Sequence, residues 1–68
     1  MILESIGRRI RELRNSQGYS QEKLALKAEI DRTYLAGVEM GKRNLSIKSL
    51  EKILNALDIG FSEFFKEL

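Results

Sequence analysis

At roughly 100° per residue, Arg32, Thr33, Ala36 and Gly37 fall with Met40 on one arc of a helical segment, opposite an arc of Tyr34, Leu35 and Val38. A guanidinium and a hydroxyl therefore sit near a helix N-terminus beside small side chains. Such a face suits the major groove of DNA. Arg can take guanine O6 and N7 bidentately, Thr can bond a base edge or offer its methyl to thymine, and Ala or Gly admits a groove wall. A solvated helix face has the same composition, and the spacing alone leaves both readings open. The chemistry that is missing narrows the field further. With no Cys and no His, the chain lacks the raw material for a thiol nucleophile, an imidazole base, a zinc site or a disulfide framework. Catalytic residues, metal ligands and cofactors are read as none, no small-molecule ligand is expected, and the chain is not expected to be an enzyme.

The arc needs a helix, and the helix needs neighbours. Absence of Pro and apolar residues at 3.6-residue spacing predict helices throughout, punctuated by glycine. The first is predicted over about 3–16, with Leu3, Ile6, Ile10 and Leu13 as its stripe and Gly18 beyond its end. Ser20 caps a second helix over 21–28, which buries Leu24 and Ala25. Asp31 caps a third from Arg32 to about Met40, closed by Gly41. Ser46 caps a fourth over 47–57, with Leu50, Ile53, Leu54 and Leu57 inward and Gly60 stopping it. A last turn or two follows over 62–66. The expectation is an all-α, compact five-helix bundle forming one domain over 1–68. Only Glu29, Ile30 and Asp31 separate the second and third helices, which forces a tight turn and a steep crossing. The third helix can then protrude into a groove about 12 Å wide.

Charge supports a polyanionic partner. Residues 1–57 carry 11 Lys/Arg against 7 Asp/Glu (+4), whereas 58–68 carry one Lys against three acids (−2). The basic surface is in the body of the chain, away from its C-terminal end. A 43% hydrophobic fraction with 32% charged residues fits a folded domain. Met1-Ile2-Leu3 is too short for a signal sequence, no apolar run approaches a membrane span, and the expected location is cytoplasmic. Arg8, Arg9 and Arg11 read as a solvated, partly DNA-facing helix surface.

The runs Ser20-Gln21-Glu22-Lys23-Leu24-Ala25, Ile30-Asp31-Arg32-Thr33-Tyr34-Leu35 and Glu39-Met40-Gly41-Lys42-Arg43-Asn44-Leu45-Ser46 carry a resemblance that extends along nearly the whole chain. They resemble the helix-turn-helix domain of phage repressors and Cro-like regulators (lambda-repressor-like), with the motif itself over about 21–40. Asp-Arg-Thr-Tyr, then Arg-Asn-Leu-Ser and a Lys-Ser-Leu-Glu helix, are most similar to controller proteins of restriction–modification systems. The resemblance implies a transcription factor binding a palindromic operator in double-stranded DNA as a homodimer. It implies base contacts by Arg32 and Thr33, with Ala36 and Gly37 allowing close groove approach. It implies backbone contacts by Ser20, Gln21, Tyr34, Lys42, Arg43, Asn44 and Ser46, with Arg43 also able to reach a groove. Arg14 and Glu39 match a pair that forms a buried salt bridge in relatives. Two positions depart from the pattern: Glu29 stands where the turn usually has Gly, at about 1 kcal/mol if the backbone is unchanged, and Met40 where relatives often place Arg or Asn.

The last two helices hold more apolar residues than one side can bury. Ile47, Ile59, Phe61, Phe64, Phe65 and Leu68 are left to divide between the core and a partner, and are expected to form the dimer interface. Two-fold symmetry would then set two recognition helices about 34 Å apart. The alternatives are a phage- or plasmid-type repressor of the same fold, and an antitoxin-like protein-interaction module of a toxin–antitoxin pair.

Overall fold

Local signals decide where the central helices begin. Ser20 Oγ accepts from the Lys23 amide at 3.0 Å, Asp31 Oδ2 from Tyr34 at 3.1 Å and Ser46 Oγ from Ser49 at 3.0 Å. Each bond satisfies one of the amides that a helix N-terminus leaves unpaired. The computed structural model describes residues 1–68 and contains α1 (Ile2–Ser16), α2 (Gln21–Ala28), α3 (Arg32–Glu39), α4 (Ile47–Ala56) and α5 (Phe61–Lys66), with no strand. These are the five helices the sequence predicts, within a residue or two at each end. None is long and apolar enough to cross a membrane.

Four helix ends share one geometry. A left-handed residue follows the helix at Gly18 (φ 78°), Glu29 (φ 60°), Gly41 (φ 73°) and Asp58 (φ 59°). The next amide reaches back five residues: Tyr19 to Arg14, Ile30 to Ala25, Lys42 to Gly37 and Ile59 to Leu54, at 2.9–3.1 Å. This Schellman-type closure occupies carbonyls the helix cannot satisfy itself. One expectation needs correcting. Asp58, not Gly60, turns the chain after α4; Gly60 has an ordinary φ of −82° and stands at the N-cap of α5.

The core takes Ile6 and Ile10 from α1, Leu24, Ala25 and Ala28 from α2, and Leu35 and Val38 from α3; α4 adds Leu50, Ile53, Leu54 and Ala56, followed by Leu57 and, from α5, Phe64. Each fully buried Leu, Ile, Val or Phe contributes about 1.5–3 kcal/mol. Phe64 is therefore a second correction. It is fully buried (0% exposed) and belongs to the core, not to an interface. α3 packs on α1 and α2, α2 on α4, and α4 on α5. Where α1 meets the end of α3 the backbones nearly touch: a methyl group on buried Gly7 would stand 2.7 Å from the Glu39 carbonyl oxygen. Only glycine fits there, and that approach brings α1 close enough for its Arg14 to reach Glu39.

Candidate nucleic-acid interface

α3 buries Leu35 and Val38 and turns Arg32 and Thr33 outward, both exposed, with Ala36 and Gly37 half-buried along the same arc. Met40 ends that arc, 60% exposed. The only two ion pairs in the molecule join the N-terminal amine to Glu4 and Arg14 to Glu39. Arg32, Lys42 and Arg43 thus have no carboxylate partner and are free to meet phosphates.

What anchors this face is a buried polar network at the far end of α3. Arg14 Nε donates to Glu39 Oε2 at 2.7 Å and Nη2 to Oε1 at 3.0 Å, both residues being buried. The bidentate fit is the favourable geometry for a guanidinium and a carboxylate. Arg14 Nη1 donates to the Tyr19 carbonyl at 2.8 Å, and Gln21 Nε2 to Glu39 Oε1 at 3.0 Å. α1, the turn before α2, the first residue of α2 and the last of α3 are therefore held by four hydrogen bonds. The side chain of Gln21 is committed inward to Glu39; what it offers outward is the unpaired amide of a helix N-terminus, where the helix dipole favours an anion.

The segment after α3 folds back onto it. Tyr34 is half-buried, its hydroxyl donates to the Asn44 carbonyl at 3.2 Å, and the Arg43 guanidinium carbon lies 5.3 Å from its ring centroid. Lys42, Arg43 and Asn44 are exposed, as is Ser46, whose hydroxyl caps α4 and donates to Ser49 Oγ at 3.0 Å. The N-terminus of α2 is thus tied to the end of α3 through Gln21, and the approach to α4 is tied to the first turn of α3 through Tyr34. Of the residues expected at a dimer interface, Ile47 is 71% exposed, Leu68 43%, Phe65 40% and Phe61 36%, with Ile59 half-buried.

Two features escape a reading of the sequence. Lys27 Nζ meets the Tyr19 hydroxyl at 2.7 Å and stands 4.9 Å from its ring centroid, fastening α2 to the turn that precedes it. The space above Gly37, read as open to a groove wall, is occupied by the stem of Arg43. No spacing rule reports either, because both join residues from different segments.

Comparison with known proteins agrees with this architecture. The family model described as helix-turn-helix matches residues 10–64. The control protein C.MunI of a Mycoplasma species is 41% identical over 63 residues, spanning 91% of this chain and 85% of that protein. The crystal structure of the restriction–modification controller protein C.AhdI from Aeromonas hydrophila superposes with a TM-score of 0.89 at 48% identity, covering 93% of this chain and 96% of that one. The controller protein C.Esp1396I, solved as a tetramer in complex with its natural 35 base-pair operator, superposes with a TM-score of 0.92 at 40% identity over 98% of this chain and 88% of that one. By the match over most of its length and by these relatives, the chain belongs to the helix-turn-helix family and is similar in sequence and structure to restriction–modification controller proteins.

Proposed function

We propose that this chain is a transcriptional regulator of the restriction–modification controller type, reading a palindromic operator in double-stranded DNA as a homodimer, without enzymatic activity or a cofactor. The observation that carries this reading is the outward arc of α3. Arg32 and Thr33 stand exposed on it, unpaired Lys42 and Arg43 flank it, and its end is locked by Arg14 and Glu39. In this reading Arg32 and Thr33 read base edges. The α2 N-terminus at Ser20 and Gln21 and the segment from Lys42 to Ser46 grip the backbone on either side, with Tyr34 supporting the second grip. The operator complex solved for C.Esp1396I supports the DNA partner and the multimeric mode of binding. The stacked, exposed Phe61 and Phe65, with Ile47, Ile59 and Leu68, supply a surface for the second subunit. In this reading the regulator works in the cytoplasm, alongside the DNA it binds.

A gel shift tests this directly. The duplex lying upstream of the chain's own gene is compared with a random duplex of equal length at about 150 mM salt. Binding to the upstream duplex should be at least about 10³-fold tighter. Equal affinity for both would end the proposal.

A further inference from the structure

α2 packs on α4, and α4 on α5, through a core that is apolar throughout. One polar bond crosses between the two parts of the chain. Gln17 Nε2 donates to the Leu57 carbonyl at 2.8 Å, across 40 positions. No other hydrogen bond, of side chain or backbone, and no ion pair joins residues 1–45 to residues 46–68. Both partners stand at helix ends. Gln17 is the C-cap of α1, three residues ahead of Ser20, the N-cap of α2; Leu57 is the C-cap of α4, three residues ahead of Gly60, the N-cap of α5. The turn on the Gln17 side is itself fixed to the buried network, since the Tyr19 carbonyl accepts from Arg14 at 2.8 Å. The turn on the Leu57 side is closed by the Ile59 amide on the Leu54 carbonyl at 3.0 Å.

We propose that Gln17 is a positioning residue for operator spacing: its bond to Leu57 fixes the DNA-gripping start of α2 relative to the α5 face that joins the second subunit. The proposal rests on the homodimeric DNA-binding function given above. In a two-fold dimer, the distance and rotation between the two reading arcs follow from how α5 of each subunit stands relative to its own α2 and α3. Apolar packing holds that relation without directional preference. A hydrogen bond does hold it directionally, because it weakens steeply as its angle departs from the optimum. Half-sites set one base pair too far apart, or too close, demand a shift and a turn between the two parts of the subunit. The Gln17 bond must strain or break to allow it. The penalty it adds cannot exceed its own net worth, which is about three- to tenfold in affinity for one hydrogen bond. Gln17 thereby sharpens the choice of operator without touching DNA.

The test uses the full chain as wild type, Gln17→Ala and Gln17→Glu, the last keeping the side-chain length but facing the Leu57 carbonyl with a carboxylate instead of a donor. Footprinting locates the half-sites in the upstream duplex. Each form is then titrated with that duplex, with versions carrying one base pair more or fewer between the half-sites, and with a duplex holding a single half-site. Both variants should bind the single half-site within about twofold of wild type, while their preference for native over altered spacing falls about three- to tenfold. An unchanged spacing preference overturns the proposal. So does a loss on the single half-site equal to the loss on the full duplex, which would place Gln17 in the grip or the stability of one subunit alone. In the free protein, residual dipolar couplings from α2–α3 and α4–α5 should fit one alignment frame in wild type, with reduced order of the α4–α5 part in Gln17→Ala. Couplings that fit one frame equally well in both forms overturn the role of the bond. That measurement needs no DNA, so the hold between the two parts is judged even if wild type fails to prefer its upstream duplex. Such a failure would sink the regulator proposal, and the spacing role with it.

Discussion

Glu39 accepts three of the four hydrogen bonds in the buried network, two from Arg14 and one from Gln21. A carboxylate so placed is tolerated only because its partners replace water. Removing it strands a guanidinium that is 8% exposed, and breaking a buried pair in this way costs about 3–5 kcal/mol. A domain of this length has a total stability of about 3–10 kcal/mol. Glu39→Ala should therefore leave the fold marginal or lost, read as a collapse of the urea midpoint; a loss of less than about 1 kcal/mol would reduce the pair to the value of a surface contact. Arg32 predicts the opposite pattern. It is exposed and unpaired, so Arg32→Ala should change stability by no more than about 0.5 kcal/mol yet lower operator discrimination by about 1–3 kcal/mol. Parallel urea melts and gel shifts on the one variant separate the two effects, and equal binding to operator and random DNA by both wild type and Arg32→Ala would refute the base-reading role. The Arg14–Glu39 pair spans 25 positions and is invisible to any periodicity; only family resemblance suggested it. Gln21 joining Glu39 had no such signal.

Helix starts and helix ends were unequally legible. Ser20, Asp31 and Ser46 announce their helices because the capping bond is local, three residues away. Ends are harder to read when the left-handed residue is not glycine, so the sequence points to Gly60 as the stop while Asp58 makes the turn. Phe64 is hard to place from sequence for a related reason. α5 has six residues, too few for the spacing of Phe61, Phe64 and Phe65 to show which ring faces inward. Glu29 carries a testable cost. It holds φ 60° at the end of α2, where a β-carbon is strained and a negative charge opposes the helix dipole. Glu29→Gly should stabilise the domain by about 1 kcal/mol, seen as a rise in Tm of roughly 4–8 °C for a domain of this size. Asp58→Gly should give less, because Asp enters the left-handed region more readily. An unchanged Tm in Glu29→Gly would mean that the turn between α2 and α3 is not strained.

In the proposed homodimer, helices that close the core would also present the surface for a second copy. α5 does both: Phe64 is fully buried, while Phe61 and Phe65 stack at 6.4 Å between centroids and stand 36% and 40% exposed. Phe65 also meets Phe64 edge to face at 5.2 Å, so one side of it is internal and the other is available. In a two-fold interface a change at Phe65 acts twice. Phe65→Lys places two cations in the joint and removes two apolar contacts, each worth up to about 1.5–3 kcal/mol. Sedimentation at tens of micromolar should find wild type dimeric and the variant monomeric, with helical circular dichroism retained. Its operator affinity should fall at least about 100-fold, because the second half-site is no longer presented at the effective concentration that linkage provides. The DNA offers the complementary test. Five base pairs inserted between the half-sites of the upstream duplex rotate one of them to the opposite face, since half-sites read by a two-fold dimer lie about one 10–10.5 base-pair turn apart. That insertion should weaken wild type strongly and leave Phe65→Lys, already bound one subunit at a time, nearly unaffected. If wild type tolerates the insertion, or if Phe65→Lys sediments as a dimer, the α5 face is not what joins the two subunits on DNA.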